Sequence, residues 1–324
     1  MQQRIGVLAA AASAALGGVT IATTRILVAV TDPLTLNVLR FAAAFAMMLA
    51  LVLALRVRWP RRQDWPGVLI LGVLAFVVFS ILFAWAMKYT TAARGGLAFS
   101  TMPVQTMLIA AVFGVERLSL RKCCGVAIAM AGVATALVTG LGAAPEGAWR
   151  GDLIMLAAVT CMSVYIVAAR PYIARSDPLG FTAAGMGVGV AGLLLLGLFF
   201  GDFASVTRFG PSEWAAFAFV ATGGGIAMFI LWIFALGRTS PSAAAVSVTA
   251  NPVTASISGA LLLGEPVGFN LLIGLVAVVA GIWIATTVPK ARANRSGTPN
   301  PRPELEAART GQSELASPAR DKTR

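Results

Sequence analysis

The chain has 324 residues, 58% of them hydrophobic and 12% charged, with a formal net charge of +12 and a mean hydropathy of +0.84. Soluble globular domains carry roughly 25% charged residues, so this composition excludes an ordinary soluble enzyme or nucleic-acid-binding protein and points to a polytopic membrane protein. Histidine is absent, and Cys123, Cys124 and Cys161 fit neither a disulfide framework nor a zinc spacing, which argues against metal, redox or cofactor chemistry and makes them small apolar packing residues.

A helix crossing the hydrocarbon core needs ~20 apolar residues. In chain order, runs of that kind bounded by charges, Pro or Gly fall at about 5–26, 34–55, 67–87, 95–115, 123–141, 152–170, 180–200, 214–236, 242–263 and 269–288. They predict an all-α integral membrane protein with ten transmembrane helices. The first run, behind Arg4, could pass for a signal peptide, but the repeat described below argues that it is retained. Trp59, Trp65, Trp149 and Trp214 stand near run ends, where an interfacial belt would sit. From 289 to 324 the composition turns to Pro, Arg, Ser and Glu, which predicts a disordered tail.

The basic residues set the orientation. The loops after the second, fourth, sixth and eighth runs hold Arg56, Arg58, Arg61 and Arg62, then Arg117, Arg121 and Lys122, then Arg170 and Arg175, then Arg238. The opposite loops hold Lys88, Arg94, Arg150 and Arg208, with Arg25 and Arg40 nearer the membrane. The positive-inside rule then puts both termini in the cytoplasm.

Sliding the sequence against itself exposes a repeat. At a shift of 145 residues, Gly6, Arg25, Asp32, Pro33 and Leu34 meet Gly151, Arg170, Asp177, Pro178 and Leu179. At a shift of 149, Trp65, Thr90, Pro103, Glu116, Gly125 and Gly132 meet Trp214, Thr239, Pro252, Glu265, Gly274 and Gly281. Five helices per copy is an odd number, so the second copy must cross the membrane in the opposite sense, the inverted-repeat plan of many secondary transporters.

The stretches "DPLTLNVLRFAAA", "YTTAARGGLAFSTMPVQTMLIAAVFGVERLSLRKCCGVAIAMAG" and "RTSPSAAAVSVTANPVTASISGALLLGEPVGFNLLIGLVAVVAGIWIA" resemble the two halves of an EamA-type member of the drug/metabolite transporter superfamily. The likeness spans about residues 5–288 and rests on many weak positions in one order. It implies a bacterial inner-membrane carrier, typically an exporter of amino acids or related metabolites, with repeats at 1–141 and 152–288 around a central cavity.

Several residues are candidates for the transport site. Arg40 lies well inside a span, where an Arg costs about 2.5–3.5 kcal/mol and needs a partner. It either pairs with a substrate carboxylate or phosphate, or snorkels to the interface or caps carbonyls. Ser247, Asn251, Thr254 and Ser258 share one helix face, Thr101 and Gln105 repeat the spacing, and Ser13 with Thr20 and Thr160 with Ser163 are shorter versions. Such faces line a wet pathway or join helices. Trp85 and Trp232 are belt anchors or pocket walls. Pro103 and Pro252 mark kinks, while Gly95–Gly96 and Gly223–Gly225 mark close packing or a flexible gate.

Glu116 and Glu265 are expected to cap the helices that follow them; a gate ion pair is the alternative, with Arg117, Arg121 and Lys122 beside Glu116 and no such neighbour beside Glu265. Arg25 is expected to snorkel. The remaining acids fall in loops, at helix ends or in the tail, so no mid-membrane carboxylate offers a proton relay. Tyr165, Arg40 or a substrate group would have to serve, or transport is facilitated diffusion. Together these features predict a carrier of amino acids or similar small metabolites rather than an enzyme, since no nucleophile and base pair lies within a span. A carrier of phosphorylated sugars or nucleotide-sugars is the alternative, as is a non-transporting receptor or assembly protein. The expected partners are a small solute and the lipid bilayer.

Overall fold

The computed structural model describes residues 2–115, 119–139, 144–236, 238 and 250–286, and every regular element among them is helical. Six elements are single α-helices: α1 (Gln2–Val28), α2 (Pro33–Ala54), α5 (Leu120–Thr139), α6 (Ala148–Ile173), α7 (Pro178–Phe200) and α10 (Phe269–Thr286). Helix α3 runs as Trp65–Gly72, the π-helical turn Val73–Val78 and Phe79–Tyr89, and α8 runs as Pro211–Thr222, the π-helical turn Gly223–Ala227 and Met228–Leu236. Helix α4 comprises Ala92–Phe99 and Met102–Val112, and α9 is described over Ala250–Leu263. Eight spans are long and apolar enough to cross a membrane; α9 and α10 contribute shorter apolar helices. Glu116, Ser247 and the tail lie outside the described residues.

Local chemistry accounts for the ends of these helices. Asp32 starts α2 by accepting from the Leu34 and Thr35 amides, both at 2.9 Å, and Asp177 starts α7 by accepting from Leu179 at 2.9 Å. Each is followed by Pro at the first helical position, where its missing N–H costs nothing. In α4 the expected kink at Pro103 is a full break. The Ser100 and Thr101 hydroxyls bond back to the Leu97 and Ala98 carbonyls at 2.6 and 2.7 Å, while Pro103 begins the second piece. At the end of α9, Gly264 takes φ +63° and the Glu265 amide reaches back to the Gly259 carbonyl, the left-handed glycine cap that fixes where Glu265 points.

The packing repeats itself. Gly125 and Gly132 of α5 correspond to Gly274 and Gly281 of α10. A Cβ on Gly281 would meet the Gly125 carbonyl at 2.5 Å, and one on Gly274 would approach the Gly132 carbonyl at 3.3 Å. The helices are therefore antiparallel, and each glycine touches its partner's counterpart. Phe76 packs on Gly189 as Ala44 packs on Gly225, which exchanges the α3·α7 and α2·α8 contacts in the same way. The Thr254 hydroxyl donates to the Ala15 carbonyl at 3.2 Å, and the Thr160 hydroxyl donates to Gln105 at 2.7 Å, which exchanges α9·α1 and α4·α6. The π-helical turns of α3 and α8 also fall at matching positions. Small residues bring these backbones together where lipid supplies no hydrophobic drive.

Candidate functional site

Arg40 is held on the buried face of α2 with Asn37, Phe41, Ala44 and Met48. It is 8% exposed, its guanidinium lies 5.1 Å from the Phe41 ring centroid, and its Nε has no hydrogen-bond partner. Among the described residues no carboxylate pairs with it. A buried cation left in that state can receive an anionic group from outside the protein.

The other candidates fall in separate places. Gln105 donates to the Thr101 hydroxyl at 2.9 Å and accepts from Thr160, while Ser163 donates to the Met102 carbonyl at 3.4 Å, so this stripe is a seam between α4 and α6. Asn251 and Thr254 press on α1, where a Cβ at Gly17 would stand 2.6 Å from the Asn251 amide nitrogen. Thr254 is fully engaged with carbonyls, whereas the buried Asn251 Oδ1 is without a partner. Trp85 belongs to an exposed stripe with Ile70, Val73, Val78 and Tyr89 that runs the length of α3, the position of a lipid-facing anchor. Two apolar grooves of about 420 and 400 Å³ flank Pro252 and Trp65, and neither has Arg40, Gln105 or Asn251 in its wall.

One end of the bundle holds a charge network that the sequence leaves scattered. Arg25 does not snorkel: it forms an ion pair with Glu265 and donates to the carbonyls of Met87, at 3.0 Å, and Thr90. Glu265 also accepts from the Ala92 amide at 2.8 Å, so it caps α4 rather than the helix after it. The Thr90 hydroxyl donates to Asp152 at 2.7 Å, and Asp152 pairs with Arg94, which donates to the Leu137 carbonyl at 2.8 Å. Thr90, Arg94 and Asp152 are all buried. Asp152 is the fifth residue of α6, and two opposite charges near the starts of α4 and α6 are the available signal for this pair.

The adjacent Cys123 and Cys124 are exposed, not packed, and Cys161 is half-buried; all three are free. Among the described residues no cluster of three or more metal-ligating side chains occurs.

A sequence model of the EamA-like transporter family matches residues 4–138 and again residues 149–287. An uncharacterized protein of Pseudomonas aeruginosa is 31% identical over 274 residues, covering 82% of this chain and 88% of that protein. A probable terminal-alkyne amino-acid exporter of Streptantibioticus cattleyicolor is 28% identical over 250 residues, covering 76% and 82%. A solved crystal structure superposes with a TM-score of 0.64 at 25% identity, covering 88% of this chain and 97% of the other. The two family matches cover both halves of a helical chain with repeated contacts, and the protein is a multi-pass membrane protein belonging to the EamA-like transporter family.

Proposed function

We propose that the chain is an inner-membrane secondary transporter that exports amino acids or related small carboxylated metabolites by alternating access. Ten helices form two inverted five-helix repeats, 1–141 and 152–288, with both termini cytoplasmic. The exchanged glycine contacts between α5 and α10 support the inverted plan, since such contacts arise when a two-fold axis relates the halves. Outward export is carried over from the relative named as an amino-acid exporter.

The observation that carries the substrate class is Arg40, a buried guanidinium with an unpartnered Nε and no acid beside it among the described residues. It would take the solute's carboxylate, and the free Asn251 Oδ1, which lies elsewhere against α1, is a separate acceptor. Gln105 and Thr101 bond to each other in this conformation and serve first as a helix seam. Phosphorylated solutes would ask for several free cations, and Arg94 is already committed to Asp152.

Flux in proteoliposomes tests this directly. Arg40→Ala, in protein shown to be folded, should lower flux of carboxylated solutes by roughly 10- to 100-fold, the loss of charged hydrogen bonds, and that of neutral analogues far less. Equal loss for both solute types would make Arg40 structural. No flux of any carboxylated metabolite would reject the substrate class.

A further inference from the structure

We propose that the Arg25–Glu265 pair, tied through Thr90 to the Arg94–Asp152 pair, is an ionic latch that holds one end of the transport path shut. The lysine and arginine distribution assigns this end to the outside. The latch rests on the transport reading only for its purpose; its own test needs no solute.

The connections form one chain. Glu265, on the loop after α9, holds Arg25 of α1 with one oxygen and the Ala92 amide at the start of α4 with the other. Arg25 spans the gap to the end of α3 through the Met87 and Thr90 carbonyls. Thr90 uses its hydroxyl to pass the link to Asp152 of α6, and Arg94 returns it to α4 while holding the Leu137 carbonyl near the end of α5. Elements from both halves are thereby joined at one end by two cations and two anions, with no net charge. Opposite charges can be buried when joined in pairs, whereas each separated member needs water or a new partner. Parting the two pairs would leave the buried Glu265, Arg94 and Asp152 without countercharges unless water enters, which is what opening that end means.

The Arg94–Asp152 half of the network has no charged counterpart in the repeat. Arg94 and Asp152 correspond by the repeat to Ala243 and Val7, which carry no charge. A latch strengthened on one side biases the unloaded carrier toward the state closed on that side, by as much as the pairs favour that state over the other.

The probe is Ile21→Cys in a background with Cys123, Cys124 and Cys161 replaced by Ala. Ile21 is 1% exposed, one turn below Arg25 on the same helix face and against Gly96 of α4. The readout is its labelling by a membrane-impermeant maleimide added outside, and Leu193→Cys, buried in α7, is the control. Glu265→Gln should speed labelling of Ile21→Cys about tenfold or more, the size expected for lost charged hydrogen bonds, with no change at Leu193→Cys. Where Glu265→Gln does not fold, Arg25→Lys, which keeps the charge but gives up the fork to the two carbonyls, should give a smaller rise of the same sign. Unchanged labelling of Ile21→Cys, or an equal rise at both positions, overturns the latch. Because no solute is present, that failure leaves the carboxylate site untouched, and a failed flux assay leaves the latch untouched.

Discussion

Asp152→Asn should be among the most destabilising single changes in the protein. Arg94 is 3% exposed, and its Nε and Nη1 have no hydrogen-bond partners. Among the described residues its charge is thus compensated by Asp152 and the Leu137 carbonyl. Asn keeps the shape but removes the countercharge, and breaking a buried pair from one side costs about 3–5 kcal/mol. Neutral hydrogen bonds between membrane helices average only ~0.6 kcal/mol, so Thr90→Val, which removes the hydroxyl bond to Asp152, should cost far less. Replacing both charges, as Arg94→Met with Asp152→Leu, should recover most of the loss because no orphaned cation remains. Reversible unfolding in mixed micelles, read as a double-mutant cycle, measures all of these. The burial argument fails if Asp152→Asn costs less than about 1 kcal/mol, or if the double variant is as unstable as the single.

Two further outcomes follow from the ends of the bundle. Reporter fusions at Arg62, Arg121 and Arg175 should read cytoplasmic and those near Asp32, Glu146, Asp202 and Gly268 external; the opposite pattern would reverse the orientation and move the latch to the inner face. At Asp32, burial opposes ionisation, but hydrogen bonds from the Thr35, Asp202 and Leu34 amides outweigh it and hold the carboxyl below its usual value. A depressed folded value contributes stability that is complete above the unfolded pKa of about 3.9 and lost as pH falls through the folded value. Asp32→Asn should therefore lower stability near neutrality and flatten the acid limb of its pH profile, and an unchanged acid limb would contradict this.

Much of the architecture was legible in the sequence. Among the described residues the apolar runs fall within a few residues of the helices because lipid demands uninterrupted backbone pairing, the first part of the run at 242–263 lying outside them, and Asp-Pro at both helix starts is a local device that needs no tertiary context. The sequence shows only a kink at Pro103 where α4 breaks fully, since Thr101 reads there as pathway polarity while its hydroxyl and that of Ser100 in fact bond back to the Ala98 and Leu97 carbonyls. The face of Trp85 was not legible: a helix in a bilayer is apolar toward lipid and toward its neighbours alike, so periodicity does not say which side is which. Arg25 reads as a snorkelling residue and the Arg94–Asp152 pair is not visible as a pair in the sequence because the partners lie far apart along the chain, where spacing gives no geometry. Glu265 does not cap the helix that follows it, as the sequence suggests, but α4, 173 residues earlier.

The exchanged contacts carry one more consequence. Gly125 with Gly281 and Gly132 with Gly274 are the same joint used twice, as are Phe76 with Gly189 and Ala44 with Gly225. On the alternating-access reading proposed above, a joint used twice treats its two ends alike, so it would supply a bearing but no preference for one cargo or one direction. Those preferences have to be written where the halves disagree. Arg40 stands opposite Gly185, Tyr165 opposite Thr20, Asp152 opposite Val7 and Arg94 opposite Ala243. In a chain built this way, the unmatched positions are where selection can tune what is carried without loosening what turns.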